Sequence, residues 1–117
     1  MNIISIDLEL NQPSNKIISL GYIIANVKNK KILVAKNLYI NPNEEVAPYI
    51  TELTGITQEM ANTGVSLQEA YLAMVSDITR LQVHKHVLQW GLDHYELKNQ
   101  LALEWKDYVF YPRGHDI

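Results

Sequence analysis

The sequence predicts an α/β fold in a single domain of 117 residues: a mixed five-stranded sheet, its first three strands antiparallel and its fourth parallel to the first, with flanking helices. Three observations carry this expectation. Residues 1–40 hold three apolar runs parted by turn formers and show no helical period. A helix with a strong start signal begins after Ser66. Beyond it, short apolar runs at 87–90 and 108–111 lie on either side of a further helical stretch, giving the order β-β-β-α-β-α-β. In that order the first strand sits between the antiparallel second and the parallel fourth.

Residues 3–10, Ile-Ile-Ser-Ile-Asp-Leu-Glu-Leu, are nearly all apolar and read as a strand buried on both faces. Asn11, Gln12, Pro13, Ser14 and Asn15 turn the chain, because proline fixes φ while Asn and Ser bond their own backbone. Residues 16–27 read as the second strand, where Gly21 marks a bulge or a close backbone approach. Lys28, Asn29 and Lys30 lead into residues 31–40, in which Ile32, Val34 and Leu38 are set against Lys31 and Lys36, as on an edge strand with one wet face. Asn41, Pro42 and Asn43 end it. Pro48–Thr54 reads as a short helix with proline in its first turn and Gly55 at its stop, and another helical turn follows from Thr57. Ser66 and Glu69 fit a capping box, each side chain bonding the other residue's backbone. Leu67, Ala70, Tyr71, Met74, Ile78 and Leu81 then recur at spacings of three and four, one apolar face for the sheet. Residues 87–90 suit a buried strand, 93–104 a helix with Tyr95, Leu97, Leu101 and Leu103 inward, and 108–111 a last strand stopped by Pro112.

The chemistry concentrates on acids. Asp7 and Glu9 stand at i and i+2 of the first strand, so they project the same way, about 6.5–7 Å apart along the chain. Two unpaired anions side by side on a buried strand need compensation, and a divalent cation supplies it most economically. Asp93 follows the fourth strand and is expected beside them, since sites in such sheets lie off the strand ends. Other features have blander readings. His84 and His86 fit a solvated turn better than a metal site, and His94 reads as helix surface. Trp90 and Trp105 read as packing residues rather than base-stacking platforms, and Lys28, Lys30 and Lys31 as a solvated hairpin.

At these residues the sequence resembles the DEDD-type, DnaQ-like 3′→5′ exonucleases of RNase H-like fold. The D-x-E of their first motif is matched by Asp7-Leu8-Glu9, and the aspartate of their second by Asp93 in Trp90-Gly91-Leu92-Asp93. Leu53-Thr54-Gly55-Ile56-Thr57, followed by Glu59-Met60, resembles the segment that seats the terminal nucleotide in this family. The resemblance implies a two-metal site for Mg²⁺ or Mn²⁺, ions that suit hard oxygen ligands, with Asp7 bridging and Glu9 and Asp93 completing the two shells. It implies that Leu10, Asn11 and Ile56 contact the last nucleotide of a single-stranded DNA or RNA 3′ end. The family's third motif, a His or Tyr paired with an Asp on a later helix, has no counterpart; His115 and Asp116 are adjacent and are not given that role. The expectation is therefore an exonuclease domain that lacks its C-terminal helices and whose activity is greatly reduced. The alternative is an inactive module of the same fold that binds nucleic acid or a protein partner, and a homodimer is a third expectation, covering core left open by a missing helix.

Composition narrows the classes. With a net charge of −3, the chain has no general electrostatic grip on nucleic acid, although a bound metal reverses the field locally. It has no cysteine, which excludes disulfides, thiolate zinc sites and a cysteine nucleophile. The absence of a long apolar run or a signal-like start leads to the expectation of a cytoplasmic protein.

Overall fold

The computed structural model describes residues 1–88 and 93–110, and the backbone alone for 84–88. Nine elements follow in chain order. They are strands β1 (Asn2–Leu10), β2 (Ile17–Asn26) and β3 (Lys31–Tyr39), helices α1 (Pro48–Thr54), α2 (Gln58–Asn62) and α3 (Leu67–Arg80), strand β4 (Val83–Leu88), helix α4 (Asp93–Gln100) and a 3-10 turn at Trp105–Asp107. Among the described residues the sheet has four strands in the order β3-β2-β1-β4. β1 and β2 pair antiparallel, β2 and β3 likewise, and β4 runs parallel to β1, the expected arrangement. No helix among the described residues is long and apolar enough to cross a membrane.

The capping signals act as read. Ser66 Oγ accepts from the Glu69 N–H while Glu69 bonds back, Thr57 caps α2, and Gly55 ends α1 at φ 79°, a left-handed conformation that suits a residue without Cβ. Gly64 meets a different demand. A Cβ there would lie 2.6 Å from the Tyr39 carbonyl oxygen, where the chain closes a parallel bridge between Ile40 and Val65. Since the opposing atoms are backbone, Gly64→Ala is expected to cost about 1–3 kcal/mol, measurable by thermal melting.

Five expectations are corrected. β1 is not buried on both faces: Ile4, Ile6 and Leu8 are buried while Asp7 is exposed and Ser5 and Glu9 are half-buried, because α3 covers only one side of the strand. The run 108–111 gives no strand within the described residues; Tyr108 to Phe110 form a turn, and Tyr111 lies outside them. There Val109 N–H donates to Tyr71 Oη and Tyr108 Oη donates to the His94 carbonyl, so burial of aromatic rings replaces a ladder. α4 stops at Gln100 because Ala102 turns left-handed at φ 56° and Leu103 N–H reaches back to the Lys98 carbonyl, a stop made without the usual glycine. Its buried face is His94 and Leu97, whereas Tyr95 is 37% exposed, so the expected places of His94 and Tyr95 are exchanged. β4 also starts earlier than the apolar run suggests, at Val83 beside Asn2; Gln89 and Trp90, and the side chains of His84 and His86, lie outside the described residues.

The main core packs Ala70, Tyr71, Met74 and Ile78 of α3 against Ile4, Ile6, Leu8, Leu20, Tyr22 and Ile24. A fully buried Leu, Ile or Met side chain among these contributes about 1.5–3 kcal/mol. A smaller cluster of Ile18, Val46, Ile50, Ile56 and Ala61 fixes α1 and α2 beside the end of β2. One buried acid stands in the main layer. Asp77 of α3 accepts from Tyr22 Oη at 2.7 Å, from Lys36 Nζ at 2.8 Å and from Arg80 Nη2 at 2.8 Å.

Candidate active site

The uncovered face of the sheet is where the acids stand. Alternation along β1 sends Ser5, Asp7 and Glu9 to that face, and register places Gly21 opposite Asp7 and Ser19 opposite Glu9 on β2, with Asn37 and Tyr39 next in line on β3. Small residues opposite the acids keep the face open. The result is a cleft of roughly 460 Å³ lined by Asp7, Glu9, Ser19, Gly21, Asn37 and Tyr39, among others, and closed at one side by Thr54 and Ile56. Gly21 is not at a bulge, and backbone does not crowd it: a Cβ there would have ordinary contacts, 3.4 Å from Asn37 Oδ1 and 3.6 Å from the Asp7 carbonyl.

Asp93 arrives from the other side. Among the described residues β4 pairs with β1 as far as Ser5 and Leu88. Leu8 N–H donates to Asp93 Oδ2 at 3.2 Å, which ties the carboxylate at the start of α4 to the strand that bears the other two acids. Three acids separated by up to 86 positions thus gather at one end of the sheet. Their mutual influence is electrostatic. Glu9 is raised above the usual carboxylate range by burial, then by the charges of Asp7 and Asp93. Asp93 is raised by burial and by Asp7, against the lowering effect of the Leu8 hydrogen bond. Among the described residues no lysine or arginine forms an ion pair with any of the three.

This donor set fits a hard divalent cation in chemistry: oxygen ligands only, and excess negative charge with no basic neighbour to satisfy it. It is not drawn together, since no group of three His, Cys, Asp or Glu side chains among the described residues stands ready to hold a metal. Because a carboxylate whose value is raised favours its protonated form, Glu9→Gln is expected to stabilise the metal-free protein slightly at pH 7, read as a higher Tm.

The three expected nucleotide contacts are placed differently. Ile56 is buried at the wall of the cleft, in line with Asp7 and Glu9. Leu10 packs against the core edge. Asn11 is 1% exposed, and both its backbone groups are engaged, its N–H with Lys16 and its carbonyl with Asn15. Its Nδ2 donates to Glu44 Oε2 at 2.6 Å and to the Glu45 carbonyl at 2.8 Å, while its Oδ1 accepts from Ala47 N–H at 3.0 Å. Asn11 therefore pins the segment that enters α1, and with it Thr54 and Ile56, to the end of β1. Ser14 Oγ also donates to Glu44, which holds that carboxyl below its ordinary value. Asn11→Asp removes two donors and sets a second carboxylate against Glu44. The expected loss is about 2–4 kcal/mol by urea or thermal unfolding.

Cleft residues that the sequence did not single out include Ser19, Asn37 and Tyr39, on the strands beside β1. Their signal was register: given an antiparallel meander, positions level with Asp7 and Glu9 on the neighbouring strands share their face.

Comparison with known proteins bears on what this face does. The model of the exonuclease family RNase T matches residues 4–104. The PolC-type DNA polymerase III of Mycoplasmopsis pulmonis (strain UAB CTIP) is 35% identical over 69 residues, 59% of this chain and 5% of that protein. The nuclease domain of 3′hExo, a DEDDh family member solved bound to rAMP, has a TM-score of 0.77 at 17% identity over 92% of this chain and 63% of its own. Exonuclease I of E. coli, solved with a dA16 oligonucleotide, has a TM-score of 0.67 at 17% identity over 94% of this chain and 25% of its own. The chain thus spans less than two thirds of each of these proteins, and the two structural likenesses show a shared α/β fold.

Proposed function

We propose, on the premise that the chain belongs to the exonuclease family RNase T, that it acts at the 3′ end of single-stranded nucleic acid by metal-dependent hydrolysis of the terminal phosphodiester bond. The observation that carries this reading is the hydrogen bond from Leu8 N–H to Asp93 Oδ2, which brings a third carboxylate across to Asp7 and Glu9. Asp7, Glu9 and Asp93 would hold Mg²⁺ or Mn²⁺, and such ions supply charge neutralisation at phosphorus, an activated water and support for the departing 3′ oxygen. Cation binding offsets the repulsion that raises Glu9 and Asp93. Ile56 and Thr54 form the wall against which the last sugar and base pack. Leu10 and Asn11 serve binding indirectly, by fixing that wall to the strand that bears the acids.

A second reading, binding without turnover, is favoured by one observation: among the described residues no histidine lines the cleft to take the proton of an attacking water, and His94 is turned into the core. One experiment separates the two. The protein is incubated with 3′-labelled single-stranded DNA and RNA in Mn²⁺, with binding measured in parallel in Ca²⁺. Stepwise release of labelled mononucleotides supports the nuclease. Retention of the strand with no release supports the binding module, and neither binding nor release overturns both.

A further inference from the structure

An acidic cleft that receives a phosphodiester strand has to supply hydrogen-bond donors as well as cations, because every phosphate oxygen is an acceptor. Few candidates are available. Lys36 is on β3 beside the cleft, but its ammonium is committed to Asp77 on the opposite face of the sheet. Asn37 is different: its side chain is exposed on the cleft side, in the row that runs Asp7, Gly21, Asn37 across three strands. The absence of a side chain at Gly21 leaves its amide open toward Asp7, with Oδ1 only 3.4 Å from where a Cβ at Gly21 would be.

The amide is also oriented. Ser19, 3% exposed and level with Glu9, donates from Oγ to Asn37 Oδ1 at 2.7 Å. That bond occupies the acceptor end of the amide and directs Nδ2, with its two N–H groups, away from Ser19. No group among the described residues accepts from Nδ2. Resting on the nuclease-family reading above, we propose that Asn37, set by Ser19 and uncovered by Gly21, is a substrate-binding donor that holds a phosphate oxygen of the strand near its 3′ end. A neutral amide suits this position better than a lysine. An ammonium so close to Asp7 and Glu9 would pair with them and compete with the metal ion, whereas an amide donates to phosphate and leaves the carboxylates to the cation.

The test measures dissociation constants of a 3′-labelled single-stranded oligonucleotide in Ca²⁺ for the unaltered protein, Asn37→Ala, Asn37→Asp and Ser19→Ala, with a melting curve for each. Asn37→Ala is expected to weaken binding about 10–100-fold, the usual worth of one hydrogen bond to a charged group, with Tm lowered only slightly by the loss of the acceptor for Ser19. Asn37→Asp is expected to weaken it more, by adding an anion against phosphate, and Ser19→Ala less, by freeing the amide to turn. A merely structural role would not respond to the ligand. Methylphosphonate linkages at the 3′-terminal positions remove the phosphate charge, and with them the extra penalty of Asn37→Asp is expected to shrink. Binding by Asn37→Ala and Asn37→Asp within twofold of the unaltered protein overturns the proposal while the family reading stands. No binding by the unaltered protein removes both.

Discussion

Replacing Asp7 by alanine is expected to slow release of 3′-terminal nucleotides about a thousandfold or more, equivalent to about 4 kcal/mol of transition-state stabilisation. Asp7 is the acid that both others feel, since its charge raises Glu9 and Asp93 alike. On the proposed reading Asp7 would help to hold the cations, so its loss would weaken the whole site. Because the Asp7 side chain is exposed and fills no core space, the same substitution is expected to leave Tm unchanged or slightly raised. Single-turnover release in Mn²⁺, paired with a melting curve, separates chemistry from folding. A rate within tenfold of the unaltered protein would take Asp7 out of the catalytic set.

A loss of stability as large as that at Asn11 is expected at Asp77. Its side chain is 8% exposed, and it is the common acceptor for Tyr22, Lys36 and Arg80, which come from β2, β3 and α3. Asp77→Ala strands the Tyr22 hydroxyl in the core, where it has given its hydrogen bond to this carboxylate. Lys36 and Arg80, about half exposed, turn back to water. The stranded hydroxyl and the lost charge-assisted bonds together suggest about 2–4 kcal/mol, or a Tm lower by roughly 10–15 °C in a domain of this size. A loss under about 1 kcal/mol in urea unfolding would show that the network is dispensable.

Acid sensitivity follows from the same network. Lys36, Arg80 and Tyr22 hold the Asp77 carboxyl far below its ordinary value. The unfolded chain therefore takes up the proton first, so this stabilisation is present above the ordinary Asp value of about 3.9 and is lost as pH falls below it. Glu9 and Asp93 act with the opposite sign. Their values are raised, so the stability tied to their protonated forms is present in acid and lost as pH rises through those raised values. The metal-free protein is thus expected to be most stable in mildly acidic solution. Divalent cation is expected to restore stability on the neutral side, since protons and metal compete for the same oxygens.

Much of the fold was legible because its signals are local. A capping box acts within one helical turn, so Ser66 and Glu69 announce α3 whatever surrounds them, and the same holds for Pro48 and Gly55 around α1. The first three strands were readable from apolar runs broken by turn formers. Where the reading failed, a distant partner decided. His94 entered the core and Tyr95 stayed out because α4 docks through His94 and Leu97, a phase that its short and mostly polar sequence does not announce. The left-handed stop at Ala102 carries no glycine to mark it. Asp77 reads as a polar position on an amphipathic helix, and only the approach of Tyr22 and Lys36 from two strands makes it a buried anion.

The candidate site divides along the same line. By itself the sequence determined that Asp7 and Glu9 share a face, because side chains alternate along any extended strand, and the family match covers the chain that bears them. Only the tertiary structure decided that this face is the open one, that Asp93 closes on Leu8 across 85 positions, and that Gly21, Ser19 and Asn37 lie level with the acids. The physical reason is that strand register and helix docking are set by contacts between segments far apart in the chain, which no local pattern of residues encodes.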